Sequence, residues 1–424
     1  MTTAKSPETQ LPGALQGTRV IELADRTGQW CGKLMADFGA TVVKVEPPTG
    51  VEERRVGPFY NDVEDINRSL YFWHYNTSKQ SVTLDLEQEA GRELFKRLIA
   101  DADVLLETTA PGTMERLGLS YDALHALNPR LVMCSLTSFG QTGPWRDYLA
   151  TDMIHLAGGG QMSACGYDTV EDDPSLQPIA PGGGNGWHMG SHYAYIAILA
   201  ALFHQQATDE GQYLDVSAHE AASLTTEMHV PMWIYAGQVP MRQTGRHAGA
   251  RPTPSTQLPT VDGRYVNGGA GQLQPNRWKP FVQWMDEKGM ADDLTDPKYL
   301  DAAVFQENQA RIAQQVRDFV ATLTAEEAMK GAQEIAGMPW GAIRAPDDLL
   351  DDEHFRERGF FPEVEHPELG KSFTYPGASA VYPRSPWRIY RRAPLLGEDN
   401  ATVLGTVGVD AAALERLRAQ GVVA

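Results

Sequence analysis

The chain has 424 residues, 42% of them hydrophobic and 21% charged, which places it among globular proteins that bury a sizeable core and excludes a disordered or fibrous chain. Its 36 Lys and Arg against 55 Asp and Glu leave a net charge of −19, a field that repels nucleic-acid phosphates and anionic lipid. Cys31, Cys134 and Cys165 are odd in number and far apart, so neither a disulfide framework nor a CxxC metal knuckle is expected, and a reducing cytoplasm is the natural compartment.

The first seventeen residues lack the apolar run of a signal peptide, and no apolar stretch approaches the ~20 residues needed to span a bilayer. From Thr18 to Glu46 the chain reads as a β-branched run, a helically spaced stretch (Leu34, Met35, Phe38) closed by Gly39, and a second β-branched run, which is a βαβ unit. Ser81 to Leu86 is strand-like, Gln88 to Ala102 helical and Val104 to Leu106 strand-like. A helical stretch around Tyr121 to Leu127 then precedes a strand at Leu131 to Leu136. Strands alternating with helices predict a mostly parallel, doubly wound sheet.

Between Thr142 and Gly190 the texture turns to Gly, Pro, Asp and Ser, and loops of that length form lids, binding sites or interfaces. Tyr193 to Phe203 reads as a buried helix, and the Gly211-Gln212 turn leads to a strand at Tyr213 to Val216. Residues 228–336, with a short strand near Tyr265 and an amphipathic helix at Ala310 to Leu323, are read as a second, smaller domain. Residues 1–227 form the first part of the large domain. Residues 337–424 return to it through Gly337 to Ile343, an acidic helical stretch at Asp347 to Glu357, and a Pro- and Arg-rich tail.

Few constellations name a chemistry. The runs Gly182-Gly183-Gly184-Asn185-Gly186 and Gly268-Gly269-Ala270-Gly271 lack the GxGxxG context of a dinucleotide fold and the GK[ST] of a P-loop, so each is either a mobile active-site loop or an ordinary turn cluster. His188 and His192 have the spacing of a two-histidine metal site, but no third ligand accompanies them, which favours polar residues at a helix entrance, and no metal is expected. No GxSxG elbow is present, and Cys165 reads as a packed small residue. Arg391-Arg392 and the set Arg242, Arg246, Arg251 suit cofactor phosphates, or else the commoner explanation of solvated surface charge or intersubunit pairing.

Eight blocks in order along almost the whole chain carry a resemblance. They are Gly17-Thr-Arg-Val-Ile-Glu-Leu, Ala36-Asp-Phe-Gly-Ala-Thr-Val-Val-Lys-Val-Glu46, Asn76-Thr-Ser-Lys-Gln-Ser81, Leu117-Gly-Leu, Asn128-Pro-Arg-Leu, Ser138-Phe-Gly-Gln-Thr-Gly-Pro144, Gly211-Gln-Tyr-Leu-Asp-Val-Ser217 and Arg392-Ala-Pro-Leu-Leu-Gly-Glu398. Together they resemble the class III CoA-transferases, the formyl-CoA transferase and carnitine CoA-transferase type that includes α-methylacyl-CoA racemase. The resemblance implies an α/β fold with a Rossmann-like large domain formed by both chain ends, a smaller inserted domain, and two subunits interlocked as rings in an obligate dimer.

It also implies coenzyme A thioesters as substrates, with no metal. The implied contacts are Arg26 and Thr27 in the first turn, Pro47 after the second strand, Asn76 and Lys79, Thr108, Thr109 and Arg116, and Thr137. Lys79 and Arg116 have the chemistry that phosphates require.

In that family an aspartate in a Gly-Asp step before the long apolar helix attacks the acyl-CoA carbonyl. Here the region reads Gly184-Asn185-Gly186-Trp187-His188, with no aspartate between Pro174 and Asp209, and Glu171, Asp172 and Asp173 fall too early. Asn185 and Gly186 thus occupy the nucleophile region, and an amide cannot form the anhydride. The racemase pair fits no better, because its histidine falls at Thr151; the neighbouring Asp152 is read as structural. The implied function is a CoA-transferase subunit that works with a homologous catalytic partner, as in succinyl-CoA:benzylsuccinate CoA-transferase. The alternatives are a stand-alone enzyme with a divergent site and a non-catalytic acyl-CoA-binding scaffold. Trp187, Trp233, Tyr235 and Trp340 are candidate walls of an aromatic acyl pocket, or else core or interface residues.

Overall fold

A computed structural model describes residues 11–168, 177–269 and 275–424. The chain divides into two compact units, the first made of Met1–Gln161, Gly182–Thr226 and Glu353–Ala424, the second of Met162–Pro181 and Glu227–Asp352.

In the first unit, β-branched runs with no polar face become the strands of a parallel sheet covered on both sides. The elements run β1 (Arg19–Leu23), α1 (Gln29–Asp37), β2 (Thr41–Glu46), α2 (Leu70–Tyr75), β3 (Gln80–Thr83), α3 (Glu89–Ile99) and β4 (Val104–Glu107). They continue with α4 (Thr113–Arg116), α5 (Tyr121–His125), β5 (Val132–Thr137), α6 (Asp152–Gly158), the 24-residue α8 (Asn185–Thr208) after the short α7 (Gln161–Ala164), β6 (Tyr213–Ser217) and α9 (Ala218–Leu224). The strand order is β3-β2-β1-β4-β5-β6, all parallel. The order reverses between β1 and β4, and such a switch point opens a crevice at the carboxyl ends of the strands.

Alternation along each strand splits the core in two. Ile21, Val43, Leu105 and Met133 pack with Phe95 and Leu98 of α3 on one face. Val20, Val42, Val104, Leu106 and Cys134 pack with Met35 of α1 and with Ala194 and Ile198 of α8 on the other. Each such large side chain contributes about 1.5–3 kcal/mol on burial. Helix α8 is longer than the apolar stretch Tyr193 to Phe203 and is not buried all round, since Ile196 and Phe203 are exposed while Ala194, Ile198 and Leu202 are covered.

The polar positions of these strands are also buried. Glu22, Lys44 and Glu46 are fully buried, as are Arg54 and Lys79. Lys44 pairs with Glu22 at 2.9 Å, Lys79 with Glu22 at 2.8 Å, and Arg54 with Glu46 at 2.6 Å. Such pairs are tolerated only because each charge meets an opposite one with good geometry.

The edge strand β3 is finished by residues more than 300 positions downstream. Asp399 Oδ2 accepts the Ser81 N–H at 2.9 Å and Asn400 Oδ1 accepts the Thr83 N–H at 2.8 Å. Val403, Leu404 and Leu414 then complete the α3-side core. Arg391 and Arg392 are paired within the chain, Arg391 with Glu398 and Asp399 and Arg392 with Glu368 and Glu398. That basic island is thus engaged in ion pairs within the chain, where solvated charge or intersubunit pairing is the expected alternative to cofactor phosphates.

The second unit holds a hairpin, β7 (Met241–Gln243) with β8 (Arg246–Gly249), and a three-stranded antiparallel sheet of β9 (Gln257–Pro259), β10 (Tyr265–Asn267) and β11 (Gly341–Ile343). The segment read as the return to the large domain thus supplies β11, which pairs with β10. Its core gathers Trp278, Phe281, Trp284, Phe319 and Trp340. Trp340 is consequently a packed core residue rather than a pocket wall. The expected acidic helical stretch is two short pieces, a 3-10 turn at Asp347–Leu350 and a helix at Glu353–Glu357. Arg246 pairs with Asp168 at 3.1 Å. Ala270, Gly271, Glu171, Asp172 and Asp173 lie outside the described residues.

Candidate functional site

The crevice at the β1 and β4 carboxyl ends is closed by a side-chain clasp. Thr108 Oγ1 donates to Asp25 Oδ1 at 2.9 Å and accepts the Asp25 N–H at 2.9 Å, while Asp25 Oδ1 also accepts the Thr27 N–H at 2.8 Å. The first turn is thereby fixed, and the Thr27 carbonyl accepts Ser191 Oγ of α8 at 2.7 Å. Arg26 leaves this turn with about a third of its side chain exposed. Its Nε donates to Glu53 Oε1 at 3.3 Å, and its guanidinium lies 5.5 Å from the centre of the Trp187 ring. Pro47, directly after β2, is exposed.

Arg116, at the end of α4, is more than half exposed and holds Glu87 through two hydrogen bonds of 2.8 Å. An exposed pair of this kind is worth little, so exchanging Glu87 for a phosphate costs little. Thr109 donates through N and Oγ1 to Glu107 Oε2 at 2.7 and 2.6 Å. Thr137 closes β5 with a buried hydroxyl that has no hydrogen-bond partner among the described residues.

Asn76 and Lys79 stand apart from this set, because both are fully buried. The Lys79 ammonium donates to Glu22 Oε1 at 3.0 Å, the Gln29 carbonyl at 2.8 Å and Asn76 Oδ1 at 3.0 Å. An ammonium has three protons, and all are used. Burial brings its pKa down to about 8. Asn76 Nδ2 donates to the Phe72 carbonyl at 3.0 Å. The two residues hold the floor beneath the first turn.

The nucleophile region forms the start of α8. Gly184 caps the helix in the left-handed conformation (φ 71°), which glycine adopts without strain, and the helix begins at Asn185, whose amide donates to the Gly182 carbonyl. Gly186 packs against α6, its Cα side facing Asp152 and His155. Asp152 Oδ1 accepts the Trp187 N–H at 3.1 Å, so the reading of Asp152 as structural matches its role as an anchor for this turn. No carboxylate side chain belongs to α8 itself.

An aromatic and imidazole cluster that sequence reasoning left as a helix entrance lies beside this turn. Trp30 stacks on His188 with ring centres 4.9 Å apart, and its indole N–H donates to His192 Nε2 at 3.1 Å. The Tyr75 hydroxyl lies 2.8 Å from His188 Nε2. Their spacing of four was the available signal, and its meaning here is aromatic packing. Among the described residues no group of three or more His, Cys, Asp or Glu is placed to hold a metal ion, and no helix is long and apolar enough to cross a membrane.

Burial pulls His74 and His155 each down to about 4, and lowers His188 and His192 as well. Unfolded imidazoles titrate near ~6.5, so the unfolded chain binds more protons between that value and 4, and stability falls as pH drops through this window. Urea denaturation at pH 7 and pH 5 is expected to differ by about 2 kcal/mol for each of the two strongly shifted groups. His155→Gln is expected to remove its share of the acid loss; an equal loss in variant and parent contradicts the assignment.

A family-level profile described as CoA-transferase family III matches residues 15–400. The chain belongs to CoA-transferase family III. It is 31% identical over 411 residues to the succinyl-CoA:(R)-benzylsuccinate CoA-transferase subunit BbsE of Thauera aromatica, covering 96% of this chain and 97% of that one. It is 30% identical to the succinyl-CoA–L-malate CoA-transferase beta subunit of Chloroflexus aurantiacus, over 93% of this chain and 94% of the other. A CaiB/BaiF family protein from Brucella suis shares the fold with a TM-score of 0.78 at 28% identity, over 94% of this chain and all of that one. As a member of this family the chain is an enzyme of CoA transfer, and its ligands are CoA thioesters.

Proposed function

We propose that this chain is the subunit of a class III CoA-transferase that lacks the nucleophile, and that a homologous partner supplies the aspartate. The observation that carries this is the start of α8. Its two Gly-X steps, Gly184-Asn185 and Gly186-Trp187, offer an amide hydrogen-bonded to its own loop and an indole against Arg26, with no carboxylate. Both similar proteins named above are called subunits, which supports a heteromer.

In this reading the partner's carboxylate attacks the thioester carbonyl carbon and the C–S bond breaks, giving a mixed anhydride and CoA thiolate. The thiolate attacks the enzyme's acyl carbon, releases the first acid and leaves an enzyme-bound thioester, and the second acid reverses these steps. Arg26 and Arg116, with the clasped first turn and the ends of β2, β4 and β5, bind the CoA nucleotide. Succinyl-CoA, common to the names of both subunit relatives, is the donor we assign.

The chain purified alone is expected to bind CoA but to exchange it roughly 10³-fold or more slowly than the complex with a Gly-Asp-bearing homologue. Exchange by the chain alone at the rate of the complex refutes the reading. Asn185→Asp and Trp187→Asp test the two Gly-X steps. Gain of a hydroxylamine-sensitive acyl-enzyme in one of them locates the vacated position.

A further inference from the structure

The first turn is held on the β4 side by Asp25 and Thr108, and α8 holds it from the other. The Trp187 ring centre lies 5.5 Å from the Arg26 guanidinium, Ser191 Oγ donates to the Thr27 carbonyl at 2.7 Å, and His192 Nε2 accepts the Trp30 indole N–H at 3.1 Å. Residues four apart share a helix face, so Trp187 and Ser191, like His188 and His192, point the same way. Trp30, at the start of α1, also stacks on His188 with ring centres 4.9 Å apart and on His74 at 6.0 Å, and the Tyr75 hydroxyl lies 2.8 Å from His188 Nε2. Apolar packing alone would be served by any aromatic ring; the indole hydrogen bond asks for more.

An indole N–H can only donate, so His192 Nε2 is the unprotonated ring nitrogen. A protonated imidazole carries N–H on both nitrogens and would set two donors against each other. The link therefore exists only while His192 is neutral. His192 is exposed and Trp30 half-buried, so solvent protons reach it. Burial lowers the His192 pKa against a hydrogen bond to the His188 backbone, and burial with the His192 charge lowers that of His188 against Asp152 of α6. Lys33 of α1 and His188 act in the same direction, after burial, on His74 of α2.

We propose that Trp30 and His192 are positioning residues for CoA binding: their hydrogen bond pins the first turn, and Arg26 with it, to the start of α8, and a proton on His192 releases it. The inference rests on the CoA reading of that turn. Neither residue touches the ligand in this account; both act through the backbone from which Arg26 projects.

Calorimetric titration of the full chain with CoA at pH 7.5 and pH 5 tests it. Trp30→Phe, which keeps a ring and loses the N–H, is expected to bind CoA about fivefold more weakly at pH 7.5, the scale of one hydrogen bond. His192→Leu should match it. His192→Gln, whose side-chain oxygen accepts a hydrogen bond and does not titrate, should recover most of the loss. The CoA phosphomonoester itself titrates near pH ~6 for every variant, so the proteins are compared with one another: on going to pH 5 the parent should lose about fivefold more affinity than His192→Gln. The indole N–H resonance that is missing in Trp30→Phe should move further with pH in the parent than in His192→Gln. Equal pH dependence in these two proteins, by calorimetry or by the resonance, overturns the proposal, as does parental affinity in Trp30→Phe. CoA bound with indifference to the substitutions refutes the positioning role alone, whereas a parent that binds no CoA at pH 7.5 refutes the CoA reading and this proposal with it.

Discussion

Arg54→Met is expected to remove 3–5 kcal/mol of stability, about the cost of breaking a buried pair from one side. Arg54 is fully buried, donates to both oxygens of Glu46 at 2.6 and 2.7 Å and to the Pro394 carbonyl at 3.1 Å, and lies 3.8 Å from the centre of the Phe72 ring. Burial alone would raise the Glu46 pKa, but the hydrogen bonds and charge of Arg54, with the Lys44 charge and the Ser81 hydrogen bond, together hold the carboxyl below its ordinary value. Methionine keeps the stem and leaves that carboxylate stranded, with Ser81 Oγ at 2.7 Å as its one short remaining hydrogen bond. A domain has about 5–15 kcal/mol in all, so the soluble yield should collapse.

Arg54→Lys is expected to fall between parent and methionine variant, because an ammonium cannot reproduce the planar fork. Pairing Arg54→Met with Glu46→Gln should recover part of the loss, since no charge is then left unpaired. Urea midpoints decide the matter. A methionine variant within 1 kcal/mol of the parent contradicts the account.

Gly32→Ala is the second large effect. A Cβ built at Gly32 stands 1.6 Å from Glu22 Oε2 and 3.2 Å from Lys79 Nζ, so α1 approaches β1 closely only because this residue has no side chain. One methyl group here displaces the carboxylate shared by Lys44 and Lys79. The expected loss is about 3 kcal/mol, overpacking compounded by a disturbed ion pair. The first βα turn rests on this floor, so CoA affinity should fall along with stability. Gly405→Ala, in the helix Asn400–Thr406 with open space around it, is the control and should be neutral or slightly stabilising. Equal denaturation midpoints for Gly32→Ala and parent sink the argument.

The alternation of strands and helices was legible because doubly covered parallel strands are written in β-branched residues. The run Thr41 to Val45 became β2, and Leu131 to Leu136 overlaps β5 almost residue for residue. Helix α8 was harder to bound, since its first two turns carry Gly, Trp and His and its start depends on the positive φ of Gly184, which no apolar period announces.

The polar residues are harder to read for a different reason. Lys79 and Asn76 share a motif with the family and carry phosphate-binding chemistry, yet their partners Glu22 and Gln29 lie about 50 residues away in the chain. Residue type gives chemistry, whereas burial, which decides whether that chemistry faces a ligand, is a property of the assembled sheet. Arg116 and Arg26, which are partly exposed, cannot be told from Lys79 by type alone.

Capping of β3 by Asp399 and Asn400 has a consequence for biogenesis. The strand leaves the ribosome some 300 residues before the side chains that satisfy its outward N–H groups, and contacts of such long sequence separation form late. For most of translation this edge is an open template for pairing with other nascent chains. Expression host and chaperone supply should therefore govern how much native protein is recovered, even when every residue near the crevice is intact.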